Sequence, residues 1–239
     1  EPMKVSICVI TGRLEPRIDW LVDAIVEQSR LDDHIEIIVV DDASTERHSV
    51  EVLEHLESTV DDVRVIHNPT NMYLAEALNI GIAAARGRYI LPLDADNMLG
   101  ANSLGLLARA LDASRDFSIA YGAMSVIEPD REEWTSTWPQ EFQFRRQLKH
   151  QNQITSTAMY RREVWERVGG YRRRCRTAED ADFWCRATSM GANARRVTDA
   201  VVLRYRNRAD SMSHVVPDWA WNEWYPWNRR LELTPWLAP

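Results

Sequence analysis

Short apolar runs alternate along the chain with stretches in which apolar residues return every three or four positions. Residues 5–10 (VSICVI), 35–40 (IEIIVV), 63–66 and 88–93 are β-prone runs of strand length. Between the first two, Ile18, Leu21, Val22, Ile25 and Val26 carry the spacing of an amphipathic helix over residues 15–29. Val50, Leu53 and Leu56 mark a second helix, and the Ala- and Leu-rich stretch 73–86 predicts a third that stops at Gly87. Strands too apolar to have a wet face, each followed by a helix, predict a parallel sheet covered on both sides.

The apolar runs end in polar residues of one kind. The first ends at Thr11, the second at Asp41 and Asp42, and the fourth at Asp94 and Asp96, followed by Asn97. In open α/β sheets ligands bind beyond the carboxyl ends of the strands, so these side chains are expected at one crevice. Two carboxylates one residue apart suit Mg²⁺ or Mn²⁺, because a small hard cation takes few protein carboxylates and completes its shell with water and phosphate.

Beyond that motif, residues 101–111 predict a helix, 117–123 a strand, 128–139 a polar, turn-rich loop and 140–148 a short helix. Phe183, Trp184 and Ala187 give residues 178–187 the inward face of a helix. Glu179 and Asp180 fall in its first turn, where the helix dipole is expected to keep a carboxylate ionised.

Composition adds bounds. The chain has 239 residues, 45% hydrophobic and 27% charged, an ordinary globular balance. No apolar run approaches the ~20 residues needed to span a bilayer, and no basic-then-apolar leader is visible. Cys8, Cys175 and Cys185 are odd in number and lack C-x-x-C spacing, which favours a reducing, cytoplasmic compartment over a disulfide or zinc framework. Residues 1–120 hold 10 Lys and Arg against 21 Asp and Glu, whereas 121–239 hold 19 against 15, so the two halves are expected to meet different partners.

Three stretches in order, VSICVIT, EIIVVDDAST and NPTNMYLAEALNIGIAAARGRYILPLDADN, resemble the nucleotide-sugar half of the family 2 glycosyltransferases over residues 4–99. The resemblance implies an α/β fold of GT-A type, with a mostly parallel nucleotide-binding sheet flanked by helices and a smaller acceptor-binding part. Residues 1–216 would form one domain, with a donor half at 1–99 and an acceptor half at 100–216. The implied donor site comprises Thr11, Glu15, one or both of Asp41 and Asp42, Asn71, Asn79, Asp94, Ala95 and Asp96. Mn²⁺ or Mg²⁺ would sit on Asp96 and Asp94. Arg208 stands where the family carries a histidine; an arginine forks onto a diphosphate but ligates no metal, which leaves His214 as the further candidate ligand.

Residues 151–171 (QNQITSTAMYRREVWERVGGY) and 178–184 (AEDADFW) extend the resemblance. It implies that Asp180 is the general base, that Glu179 and Asp182 support it or meet the sugar, and that a hydroxyl-rich strand at Thr155, Ser156 and Thr157 lines the sugar pocket. Arg172, Arg173, Arg174 and Arg176 form a basic loop beside it with room for an anionic acceptor. The implied reaction is metal-dependent, inverting transfer from a nucleoside diphosphate sugar, UDP before GDP or dTDP, to a carbohydrate or a lipid- or phosphate-linked acceptor. No nucleic acid is expected as a partner.

Departures from the family pattern are local: Ile10 replaces a proline, Gly12 and Arg13 a Tyr-Asn pair, and Tyr73 a glycine, which narrows the crevice near the donor. Residues 217–239 hold five of the ten tryptophans (Trp219, Trp221, Trp224, Trp227 and Trp236), interrupted by prolines. That extension can pack back on the domain, form a homodimer contact, stack on carbohydrate, or anchor the protein peripherally at the inner face of a membrane.

Two other classes compete. A strand ending in D-x-D also suits an aspartate-based phosphotransferase, but that motif opens its domain and is followed by Thr or Val, not by Asn97. A non-catalytic nucleotide-sugar binding module would retain residues 41–96 and be indifferent to Asp180. Neither G-x-G-x-x-G nor G-x-x-x-x-G-K-[ST] occurs, which removes the common dinucleotide and P-loop readings.

Overall fold

The computed structural model describes residues 4–11, 35–130, 132–136, 139–147 and 152–207. The helix expected at 15–29, the candidates Glu15, Arg208 and His214, and the Trp-rich extension lie outside the described residues.

Four parallel strands make the first half of the sheet: β1 (Val5–Thr11), β2 (Ile35–Asp41), β3 (Val63–His67) and β4 (Tyr89–Asp94). They stand in the order β3-β2-β1-β4, so the winding direction reverses between β1 and β4. Every residue of β1 and β2 is buried because both faces are covered. Side chains alternate between faces. On one face Ile7, Val9, Ile37, Val39 and Leu91 pack with Leu53 and Leu56 of α1 (Arg47–Thr59) and with Leu104, Leu107 and Leu111 of α3 (Ser103–Ala113). On the other, Cys8, Ile10, Ile38, Val40 and Ile90 meet Ala77, Leu78 and Ile82 of α2 (Leu74–Ala84).

The exceptions to this apolar pattern sit at the amino-terminal ends of the strands. Buried Glu36 accepts hydrogen bonds from the Ser6 hydroxyl, from the Gly87 N–H at 3.1 Å and from Arg86 Nε at 3.0 Å. A Cβ on Gly87 would stand 2.4 Å from Ser6 Oγ. Gly87 is thus required by close approach to β1, and the helix before it has already ended at Ala84.

The sheet continues without a break into the second half. β8 (Met159–Arg161) runs antiparallel to β4 and to β6 (Ile119–Ile127), and β6 pairs in parallel with β9 (Ala194–Arg206). β5 (Met98–Leu99) lies antiparallel to the end of β9. The polar stretch expected as a loop at 128–139 instead contains β7 (Glu133–Thr135), paired with β6. It is held by Glu133, which takes both the Ser125 hydroxyl at 2.6 Å and the Arg204 guanidinium at 2.6 Å.

Three further helices complete the second half: α4 (Phe144–Gln147), α5 (Arg162–Val168) and α6 (Glu179–Ser189), the last preceded by a 3₁₀ turn at Arg173–Ala178. Phe183, Trp184 and Ala187 of α6 are buried, as the periodicity predicts. The three cysteines are buried and free. Among the described residues no helix is long and apolar enough to cross a membrane.

Candidate functional site

The crevice opens where the sheet order reverses. Three backbone bonds stitch the carboxyl ends of the strands together there: Asp42 N–H to Thr11 O at 2.8 Å, Ala95 N–H to Ile10 O at 3.2 Å, and Asn68 N–H to Asp41 O at 2.8 Å. Asp94, Ala95 and Asp96 then form a half-buried turn between β4 and β5. Asn97, which motif reasoning left without a role, organises it. Its N–H and its side-chain Nδ2 donate to the Asp94 carbonyl and carboxylate at 3.0 and 3.2 Å. Its Oδ1 accepts the Arg206 N–H at 3.1 Å, which ties the turn to β9.

Facing this turn is the start of α6. Asp94, Glu179, Asp180 and Thr157 line a cleft of about 270 Å³, with Leu78, Pro92 and Tyr171 as its apolar side. Thr155, Ser156 and Thr157 lie in a turn, not in the expected strand. The nearby amides of Gln147 and Asn152 bind the N–H groups of Gln153 and Ile154, where a ladder partner would otherwise stand. The buried oxygens Thr11 Oγ1, Thr157 Oγ1 and Glu179 Oε2 have no hydrogen-bond partner among the described residues. Buried polar atoms are rarely left so, and two of these, on Thr157 and Glu179, belong to residues that line the cleft.

The acids stand close enough in this space to perturb one another. Burial first, then Asp96 and Asp180, pushes the Asp94 carboxyl up to about 7. Burial pushes Asp180 up to about 6, against the opposing pull of the Ala181 N–H and the Asn152 amide. Glu179 is raised well above the usual carboxylate range by burial and by Asp180. The expectation that the helix dipole keeps these groups ionised is therefore corrected for Glu179, while Asp180 is ionised only above about pH 6. Desolvation and mutual repulsion outweigh an effect of about 0.3–1 kcal/mol.

These raised values make a stability prediction. Between pH 4 and 7 the folded chain holds protons on Asp94, Asp180 and Glu179 that the unfolded chain has released. Stability therefore falls as pH rises through that window. Melting temperature measured in chelator from pH 5 to 8 should decline on this account, and Asp94→Asn should flatten the decline.

The end of β2 is equally well ordered by hydrogen bonds. Asp42 accepts three hydrogen bonds from residues 68–73: Asn68 Nδ2 at 2.8 Å, Met72 N–H at 2.7 Å and Tyr73 N–H at 2.9 Å. Asp41 accepts the Ser44 N–H at 3.0 Å and pairs with His67 at 2.9 Å. Both aspartates are buried, and α1 receives no side-chain cap from either. Asn71 accepts the Tyr73 N–H at 2.9 Å and so shapes the same loop. Tyr73 has φ +66°, in the region that favours glycine. Its half-exposed ring lies under the Arg173 guanidinium, 5.2 Å from the centroid, and it directly precedes Leu74 on the cleft wall.

Two candidates turn out to be committed elsewhere. Asn79 holds Tyr171 from both sides, accepting its N–H at 2.8 Å and donating to its carbonyl at 2.9 Å, and also takes the Trp165 indole N–H at 3.1 Å. Its part is to place Tyr171 on the cleft wall. Asp182 is wholly buried beneath the cleft and bound to Arg186 through Nε at 2.8 Å. That corrects its expected contact with sugar: residues 180 and 182 diverge around the helix, and only the first faces the opening. Of the basic loop, Arg172 turns inward to within 3.7 Å of Asp182, whereas Arg173 and Arg174 are exposed.

Asp94 and Asp96 offer hard oxygen donors, and the repulsion that raises Asp94 is what a cation would relieve. Among the described residues no group of three or more His, Cys, Asp or Glu is placed to hold a metal. Two carboxylates suit Mg²⁺ or Mn²⁺ completed by water and phosphate oxygens, not a closed protein cage.

Comparison with known proteins fits this geometry. Residues 6–169 match the family described as Glycosyl transferase family 2. The chain is 26% identical over 229 residues to a PGL/p-HBAD biosynthesis glycosyltransferase of Mycobacterium bovis, covering 95% of this chain and 86% of that one. Its fold is similar to S. aureus TarS solved with UDP-GlcNAc, with TM-score 0.78 and 19% identity over 97% of this chain and 66% of that one. It is also similar to the mannosyltransferase PcManGT of Pyrobaculum calidifontis, solved with GDP-Man and Mn²⁺. That likeness has TM-score 0.64 and 21% identity over 89% of this chain and 59% of that one. At these identities the two structures speak for the fold, a mostly parallel α/β sheet of GT-A type.

Proposed function

The chain belongs to glycosyl transferase family 2, and from that premise we propose that it transfers a sugar, with inversion, from a nucleoside diphosphate donor to an acceptor hydroxyl. The observation that carries the proposal is that Asp94 meets Asp180 across one cleft at the reversal point of the sheet, with Asp96 close enough to raise the Asp94 carboxyl. The nucleoside lies along Thr11, Asp41 and Asp42, and the diphosphate reaches Asp94 and Asp96. UDP is the favoured base carrier. TarS was solved with UDP-GlcNAc and PcManGT with GDP-Man and Mn²⁺, which supports a nucleotide-sugar donor here.

The residues divide the work. Asp96 and Asp94 would hold a divalent cation, which would supply positive charge to offset that of the departing diphosphate. Asp180 takes the proton of the acceptor hydroxyl as the oxygen attacks the anomeric carbon. The new C–O bond forms on the face opposite the breaking bond, whose electron pair leaves with the nucleoside diphosphate. A group that titrates near pH 6, as Asp180 does, is ionised at neutral pH and still basic enough to accept a proton. The unpartnered Glu179 and Thr157 oxygens are set to bind sugar hydroxyls. Exposed Arg173 and Arg174, in the 3₁₀ turn that leads into α6, favour an acceptor that carries an anionic group, such as a phosphate-linked carrier.

Thermal unfolding tests donor binding. UDP with Mn²⁺ should raise the melting temperature, and chelation should remove most of the shift, because the nucleotide is held through the cation. At a hundred times its dissociation constant a ligand contributes about 2.7 kcal/mol. A shift equal with and without chelator would sink the metal-bridged mode. A non-catalytic module would pass this test yet release no nucleotide from any sugar donor.

A further inference from the structure

Asp180 is steered by more than its place at the start of α6. Its Oδ2 accepts a hydrogen bond from Asn152 Nδ2 at 3.1 Å. The orientation of that amide is set from behind, since Asn152 Oδ1 accepts the Ile154 backbone N–H at 3.4 Å and Gln147 Nε2 at 3.4 Å. A backbone N–H can only donate, so Oδ1 must face it and Nδ2 must face the carboxylate. Gln147, wholly buried, is oriented by the same logic. The Gln153 N–H donates to its Oε1 at 3.1 Å, which turns its Nε2 toward Asn152.

Gln153 closes the support. Its own amide accepts the Gln143 N–H at 3.0 Å and donates to the Gln143 carbonyl at 2.9 Å, so residues 152–154 are tied to the segment that carries Gln147. A one-way relay of two amides thus runs from α4 to a single oxygen of Asp180.

We propose that Asn152 is a positioning residue for Asp180, its amide occupying Oδ2 while the Ala181 N–H takes Oδ1 at 2.7 Å, so that a lone pair left on the carboxylate meets the acceptor hydroxyl, with Gln147 holding Asn152 in the productive orientation. The inference rests on the glycosyltransferase reading above. A neutral amide suits this task, because it fixes the carboxylate without the full charge of an Arg or Lys, which would weaken it as a base. Loss of an orienting contact of this kind costs on the order of 10²-fold in rate when it misplaces a reacting group by about an ångström.

The test measures release of UDP or GDP by the full chain with Mn²⁺, from UDP-glucose, UDP-GlcNAc, UDP-galactose and GDP-mannose, with water as the acceptor. Asn152→Ala is expected to lower kcat about 10- to 100-fold while leaving the donor KM and the UDP–Mn²⁺ thermal shift unchanged. Asn152→Asp, of the same shape but with no N–H to donate, should be at least as impaired. In an Asp180→Asn background Asn152→Ala should change the residual rate by less than about threefold, because two residues that act through one group are not additive.

Wild-type kcat in Asn152→Ala overturns the inference alone, as does a full further loss on top of Asp180→Asn. Failure of both Asn152 variants to fold assigns the residue a structural role and also overturns it. A wild-type chain that releases nucleotide from none of the four donors overturns the glycosyltransferase reading and this inference with it.

Discussion

Asp180→Asn is expected to lower turnover by about 10²- to 10⁴-fold, the range lost with a positioned general base, while UDP and Mn²⁺ still raise the melting temperature as in the wild type. The substitution keeps shape and removes proton affinity. Asp180 is half-buried at the lip of the cleft, where a hydroxyl can reach it, and its carboxyl is raised to about 6. At pH 7 most of it is free to take a proton. Removing it should also ease the crowding of acids, so the Asn variant is expected to melt no lower than the wild type above pH 6. Full turnover in Asp180→Asn would move the base elsewhere. Its loss together with the nucleotide shift would make Asp180 a donor-binding residue.

The second large effect is on stability. Asp182→Ala should destabilise the fold by about 3–5 kcal/mol, the usual cost of leaving one partner of a buried ion pair alone. For a chain of this size that lowers the melting temperature by roughly 6–20 °C. Arg186, also buried, binds Asp182 and donates to the carbonyls of Val168 at 3.0 Å and Gly170 at 2.8 Å. Those carbonyls belong to a turn in which Gly169 and Gly170 both have positive φ, +77° and +79°. The turn in turn delivers Tyr171, clamped by Asn79, to the cleft. Calorimetry of Asp182→Ala decides the matter, since a residue that touched sugar would cost turnover and leave the melting temperature alone.

Both predictions concern carboxylates that look alike in the sequence. Glu179, Asp180 and Asp182 are three acids in one helical turn, and the motif that singles out Asp180 says nothing of how the others differ. Legibility was highest where burial is two-sided. β1, β2 and β4 were readable because VSICVI, IEIIVV and YILPL must avoid water on both faces. It was lowest in the acceptor half. β7 is exposed throughout and β9 begins in half-exposed polar residues, and each owes its existence to β6, so local pattern carried little signal. Thr155 to Thr157 have the composition of a strand and form a turn, because side-chain amides bind the neighbouring N–H groups.

Asn97 and Asn152 show the same division. The first was adjacent to a recognised motif and needed only its hydrogen bonds to be seen. The second is 28 residues from the carboxylate it holds, and no spacing rule relates them.

By itself the sequence determined the sheet and the gathering of Thr11, Asp41, Asp42, Asp94 and Asp96 at its carboxyl edge, because apolar runs of strand length flanked by helices admit few arrangements and polar residues at their ends have one exit. Only the tertiary structure decided how these acids differ in their surroundings. The upward shifts of Glu179 and Asp94, the withdrawal of Asp182 into an ion pair and the hydrogen bond from Asn152 to Asp180 all depend on desolvation and on distances between residues remote in the chain, and those exist only once the chain has folded.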